Sequence, residues 1–231
     1  MSKGRVAGLV CEGQSDSVIF EELIQKLWPE VVDIRRLHPE VDELDRAVGS
    51  SGWTGVREWC RRHAGKLASI IDPGIGQRLD VLVVALDIDI DIAVAAGISD
   101  PPKHGSAYDA TRLCQTIKDW LRPTGAPSLP EELVIAVPSM ATEAWAIAAL
   151  YTSERNPENI EKPAEYLVAK KQLDWDADPE RRKKRKIRKL PATYRRFAQQ
   201  ISGKLSRVRK ACPEAARICR KIERRRDDTA R

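Results

Sequence analysis

The sequence has no run approaching the about 18 consecutive apolar residues of a membrane span, so a helix that crosses a bilayer is not expected. Its five cysteines (Cys11, Cys60, Cys114, Cys212 and Cys219) are scattered, form no CxxC pair and are odd in number. Neither a disulfide framework nor a zinc cage is indicated. The three histidines, His38, His63 and His104, stand too far apart for metal-ligand spacing. There is no G-x-S-x-G elbow and no P-loop, which leaves serine-hydrolase and nucleoside-triphosphatase readings without support. The opening MSKGRVAGLV is too short, and interrupted too soon by Glu12, for a signal peptide. A soluble, cytoplasmic chain is expected. What is present is 231 residues, 42% hydrophobic and 32% charged, enough for one large domain or a medium domain with an appendage.

The net charge of +6 conceals a division. Residues 1–180 hold 19 Lys/Arg against 30 Asp/Glu, whereas residues 181–231 hold 21 against 4. So basic a tail points to a polyanion, most simply nucleic acid. The plainer alternative is a solvated terminus that docks on the acidic body of its own chain.

Hydrophobic patterning reads as alternating strands and helices. Val6–Cys11 is a strand, Glu12–Ser15 a turn, and Asp16–Trp28 a helix with Val18, Ile19, Leu23 and Leu27 on or near one face. Pro29 ends that helix, and Val31–Leu37 follows as a second strand. Gly49–Gly52 is read as a plain loop rather than a phosphate cradle, ahead of a helix around Val56–Ile71. DVLVVAL (Asp80–Leu86) has the continuous apolar run of a buried central parallel strand. A helix near Ala107–Leu121, a strand at Leu133–Val137 and a helix at Ala141–Leu150 complete the pattern. Trp53, Trp59, Trp120 and Trp145 are expected in the core. The whole predicts an α/β fold with a mostly parallel sheet flanked by helices over residues 1–150. Residues 151–231 carry no strand signal and read as a basic, mainly helical C-terminal region beyond a soft boundary.

Open parallel sheets place their sites at the carboxyl ends of their strands. Three of these ends carry acids: Glu12 and Asp16 after the first, Asp87, Asp89 and Asp91 after the third, and Glu143 behind the fourth. In an extended chain, Asp87, Asp89 and Asp91 share one face about 7 Å apart. They then repel one another unless a cation neutralises them. Hard oxygen donors of this kind suit Mg²⁺ or Mn²⁺. A calcium EF-hand is excluded, because positions six and twelve counted from Asp87 are Ile92 and Ile98 instead of Gly and Glu. For Glu12, Asp16 and Glu143 the competing reading is helix capping, with Ser139 as the cap ahead of Glu143.

VCEGQSD and VVALDIDID together resemble the topoisomerase–primase (TOPRIM) domain over roughly residues 5–150. The Glu12-x-x-x-Asp16 spacing is similar to TOPRIM nucleases of the overcoming-lysogenisation-defect type. VPSMATEAWAIA resembles a stretch of small bacterial TOPRIM-like proteins linked to antiphage defence. The resemblance implies a TOPRIM/Rossmann-like sheet, Mg²⁺ held by the counterparts of Asp87 and Asp89, and Glu12 as general acid/base or metal ligand. Asp91 matches a third acid found in some members. The nuclease branch also carries a catalytic lysine, for which Lys103 is the position offered. The implied activity is metal-dependent hydrolysis of phosphodiester bonds, with DNA ahead of RNA as substrate.

The run RRKKRKIRK contributes Arg181, Arg182, Lys183, Lys184, Arg185 and Lys186 to a nucleic-acid surface that Arg195, Arg196, Lys204 and Arg207 extend. With one apolar residue in nine, it is expected to be unstructured until it meets phosphates. The remainder of the tail would pack Phe197, Ile201, Leu205 and Ile218 onto the body. Two alternatives stay open: a ribonuclease acting on structured RNA, and a non-catalytic or partner-activated nucleic-acid-binding subunit that requires another protein.

Overall fold

The computed structural model describes residues 4–41, 47–48, 52–88, 110–123, 125, 128–184 and 186–230. Four parallel strands form the central sheet: β1 (Arg5–Val10), β2 (Val31–His38), β5 (Val81–Ala85) and β6 (Leu133–Ala136), in the order β2-β1-β5-β6. Two short antiparallel pairs stand apart from it, β3 (Glu40–Val41) with β4 (Ala47–Val48) and β7 (Asp174–Trp175) with β8 (Ile187–Arg188).

The period-two alternation of the central strands divides the core into two layers. Ala7, Leu9, Cys11, Val81, Val83, Ala85, Val134 and Ala136 face one side. There they meet α1 (Gln14–Leu27), α5 (Glu143–Leu150), α8 (Pro191–Gly203), α9 (Leu205–Ala211) and α10 (Pro213–Thr229). Val6, Val10, Leu82, Val84, Leu86, Ile88, Ile135 and Val137 face the other, against α2 (Gly52–Arg62), α3 (Leu67–Ile71) and α4 (Ala110–Leu121). The fold is therefore α/β, a four-stranded parallel sheet with helices on both faces. Among the described residues no helix is long and apolar enough to cross a membrane.

The helix expected over Val56–Ile71 is two helices, because Gly65 takes a left-handed φ of 71° between α2 and α3. The two-residue strands β7 and β8 were invisible to periodicity, which needs a longer window. The charge run is also structured in its described part. Residues Pro179–Lys183 form the short helix α7, and Ile187 then pairs with Trp175. A neighbouring strand supplies the backbone bonds that the run's own side chains gave no reason to expect.

Phe197, Ile201, Leu205 and Ile218 are buried in the same layer as α1 and α5. Polar groups reinforce this packing. Lys204 Nζ and Arg207 Nε donate to the carbonyls of Ala149 and Ala148 at the C-terminal end of α5, at 3.1 and 2.8 Å. Cations are favoured at that negative helix end. Lys204 and Arg207 thus have a structural contact as well as the phosphate role expected of them.

Glu158, in a 3₁₀ turn at Pro157–Asn159, is fully buried and tethers the last helix. Its carboxylate accepts from Glu214 N, Ala215 N and Trp145 Nε1 at 3.0, 3.2 and 3.1 Å, so it caps α10 from outside the helix. Burial nevertheless pushes its carboxyl from 4.5 up to about 6, so the native state binds this proton more tightly than the unfolded chain. Stability from this group is full below pH 4.5 and is lost as pH rises through 6. The loss amounts to about 2 kcal/mol. Across that window the melting temperature of Glu158→Gln is expected to fall less than that of wild type, which thermal melts from pH 4 to 7 will measure.

Candidate functional site

In the order β2-β1-β5-β6 the chain leaves β1 toward one edge and returns to β5 on the other side. The connections lie on opposite faces, α1 on one and α2 with α3 on the other. A crevice opens where the strand order reverses, at the carboxyl ends of β1 and β5. Glu12 and Asp87 stand at this point. The Glu12 carboxylate bridges the two strand ends by accepting Asp87 N–H at 2.9 Å. Beyond β5 the chain stays extended alongside β6, with Ile88 bridged to Ser139.

Asp16 sits in the first turn of α1 and is buried. Its Oδ1 accepts the hydroxyl of Thr142, also buried, at 2.9 Å. Thr142 immediately precedes α5, so this one bond joins the starts of two helices. Ser139 is not the expected cap of α5, since its hydroxyl donates to the Glu158 carbonyl. Instead, Met140 takes φ 65°, and Ala141 N bonds back to Ser139 O at 2.9 Å, closing a tight three-residue turn. Left-handed backbone at a non-glycine residue costs on the order of 1–3 kcal/mol. Here it delivers Glu143 to the crevice.

Glu143 is 1% exposed and lies at the centre of a network. Its Oε1 accepts the Tyr194 hydroxyl at 2.5 Å and lies 3.1 Å from Lys189 Nζ. Its Oε2 is buried with no hydrogen-bond partner among the described residues. Lys189 follows β8, at the end of the basic run. Its side chain is 49% exposed along its length, while its ammonium group is tucked against Glu143 and over the Tyr194 ring. Glu12, Asp16, Asp87, Glu143 and Lys189 all line a single cleft of about 650 Å³, which the start of α6 (Pro163–Ala169) also lines.

The electrostatics follow from this crowding. Burial raises the Asp87 carboxyl well above its usual range, and repulsion from Asp16, Glu12 and Glu143 adds to the effect. Burial likewise raises Asp16, with Lys189 opposing and Glu143 reinforcing. Glu143 goes the other way. Burial disfavours its charge, but Lys189 and Tyr194 together hold its carboxyl below the usual range. The same contact with Glu143 holds the Lys189 ammonium well above its own. Six carboxyl groups (Glu12, Asp16, Asp87, Glu143, Glu161 and Glu165) against two lysines (Lys162 and Lys189) line the cleft, so it is rich in acids. The N-termini of α1, α2 and α5 nevertheless converge on it and favour anions.

Of the acids singled out in the sequence, Glu12, Asp16, Asp87 and Glu143 come together in this cleft. Asp89, Asp91, Lys103 and Arg185 lie outside the described residues, as does the side chain of Arg182. Arg181, Lys183, Lys184, Lys186, Arg195 and Arg196 are exposed. Arg181 and Lys183 also pair with Asp176 and Glu180. Sequence reasoning missed Lys189, Tyr194 and Thr142. A signal for Lys189 did exist. Ile187 is the one apolar residue of the run, and Lys189 two residues on shares its inward side of an extended chain.

Among the described residues, no three His, Cys, Asp or Glu side chains stand close enough to one another to hold an ion by themselves. Mg²⁺ does not require that. It typically keeps several waters and takes one or two carboxylates together with substrate phosphate oxygens. The orphaned, buried Oε2 of Glu143 and the mutual repulsion of the four acids fit such an ion. Comparison of the chain with protein-family models, curated proteins and solved structures returned no match.

Proposed function

We propose that this chain is a divalent-metal-dependent nuclease of the TOPRIM type, cutting phosphodiester bonds of nucleic acid, with DNA as the first expected substrate. The observation that carries this reading is the meeting of Glu12, Asp16, Asp87, Glu143 and Lys189 in one cleft at the sheet's switch point. Mg²⁺ or Mn²⁺ would be held by one or two of Glu12, Asp16, Asp87 and Glu143 at a time, together with waters and substrate phosphate oxygens. Such an ion, when bound, supplies neutralisation of phosphate charge and a lowered pKa for water.

The chain's own groups do the rest. Lys189, held over Tyr194 by Glu143, offers a preorganised cation to a non-bridging phosphate oxygen. Glu12, oriented by the Asp87 N–H, would take a proton from the attacking water where the other acids supply the ligands. Thr142 fixes Asp16 so that it need not reorganise as charge develops. Exposed cations of the basic run, Arg188 among them, would reach a bound backbone from β8, which packs beside α6, whose start lines the cleft. They would hold the backbone without choosing a sequence, so binding should weaken steeply with salt.

The test is cleavage of supercoiled plasmid, single-stranded DNA and structured RNA in Mg²⁺, Mn²⁺ or EDTA, with Glu12→Gln alongside. Glutamine retains the oxygen that accepts Asp87 N–H and loses the charge. Metal-dependent cutting that falls about a hundredfold or more in Glu12→Gln is expected. Binding without cutting on every substrate would favour the non-catalytic reading, and cutting unaffected by Glu12→Gln would remove the cleft from the chemistry.

A further inference from the structure

β2 is an outermost strand of the sheet, and among the described residues no strand pairs with its free side. It runs for eight residues, and bulges at Val32 and Leu37, where its pairing with β1 shifts register, leave Asp33–Arg36 as its regular stretch. Long open edges invite pairing with another chain unless they are blunted by charge or covered. This edge carries Val32, 69% exposed, and the charged pair Asp33 and Arg35. Arg35 Nε lies 3.2 Å from Asp33 Oδ2, which puts both side chains on one face of the strand. Beside the edge, between α1 and α8, runs a groove of about 510 Å³ bordered by Val18, Ile34, Arg36 and Arg195.

We propose that two copies of the chain associate through their β2 strands, antiparallel, about a two-fold axis at Ile34. The argument is one of register. A two-fold axis that relates neighbouring antiparallel strands runs perpendicular to the sheet and leaves each face on its own side. Directly opposed residues must then have like parity. Centring the axis on Asp33 sets Asp33 against itself, and centring it on Arg35 or Arg36 sets arginine against arginine. Like charges directly opposed are unfavourable. Centring it on Ile34 sets Asp33 of each copy opposite Arg35 of the other, twice over, and covers Val32. The regular stretch about Ile34 is self-complementary in this register and in neither neighbouring one. Such pairing is isologous and closes at two copies. It joins two four-stranded sheets into one of eight, with the acidic clefts at opposite ends. The inference is independent of the chemistry proposed for the cleft.

Sedimentation equilibrium of the full chain at micromolar concentration, for wild type, Asp33→Arg, Arg35→Asp and the double exchange, tests it. Wild type is expected at twice 25.9 kDa. Each single exchange sets like charges opposite at two places and should raise the dissociation constant about tenfold or more. The double exchange restores opposite charges and should bring it back to near wild type. Circular dichroism on the same samples checks folding, since Arg35 Nη1 also donates to the Gln77 carbonyl at 3.0 Å. A monomeric wild type, or a dimer indifferent to both single exchanges, would overturn the proposal. In that case Asp33 and Arg35 serve only to keep the edge from sticking.

Discussion

Asp87→Asn is expected to abolish cleavage and, in the absence of metal, to make the protein more stable. Asparagine is nearly isosteric, and the Asp87 N–H bond to Glu12 belongs to the backbone, so the strand end should keep its shape. What disappears is one of the carboxylates crowded into a cleft where burial, Asp16, Glu12 and Glu143 all disfavour its charge. Relief of that repulsion is worth about 1 kcal/mol, or a rise of roughly 2–4 °C in melting temperature for a chain of this size. Activity should fall at least about a hundredfold, because the side chain is a metal ligand in the proposed site. Added Mg²⁺ should then reverse the order of stability, since wild type gains binding free energy that the variant lacks. Melts in EDTA and in Mg²⁺, run beside a plasmid assay, read all three effects. A variant that is less stable in EDTA, or that still cuts, contradicts the arrangement.

Lys189→Met should have the second largest effect. Methionine preserves the aliphatic stem and removes the ammonium that sits 3.1 Å from Glu143. If the ammonium meets the scissile phosphate, its loss should lower the cleavage rate by about 10²–10³, the scale of removing one preorganised charge-stabilising donor. Glu143 is then left buried with Tyr194 as its remaining side-chain partner among the described residues. The resulting destabilisation is about 1–2 kcal/mol, less than for a fully buried pair because half of the Lys189 side chain is exposed. Glu143→Gln in the same chain should recover most of the stability and none of the activity. Lys189→Arg should recover part of the activity. If Lys189 served the fold alone, the activity of Lys189→Met would track its folded fraction.

The strands and helices of the first 150 residues were legible because their periods are long and clean. DVLVVAL can hardly be anything but a buried strand, and β5 runs from Val81 to Ala85. The acids Glu12, Asp16, Asp87 and Glu143 were legible as a group for a topological reason. Parallel strands end on one side of the sheet, so whatever follows them gathers there. Lys189 was hard to tell from its basic neighbours, because its one local sign is its position two residues beyond Ile187. Its place depends on a two-residue strand, on Ile187 turning inward, and on Tyr194 arriving from α8 to meet Glu143. Contacts of that kind span about fifty residues and leave no period in the sequence. The last helices were recognisable as amphipathic, but the cap that Glu158 gives α10 is again a pairing of distant segments.

The central claim is that the cleft of Glu12, Asp16, Asp87 and Glu143 binds a divalent cation. Titration of Mn²⁺ into the metal-free protein, followed by calorimetry and by loss of the free-ion resonance signal, tests this without reference to any substrate. Wild type should show saturable binding that Mg²⁺ displaces, and the Glu12→Gln/Asp87→Asn double variant, with an unchanged circular dichroism spectrum, should show none. Absence of saturable binding in wild type, or equal binding in the double variant, would contradict the account.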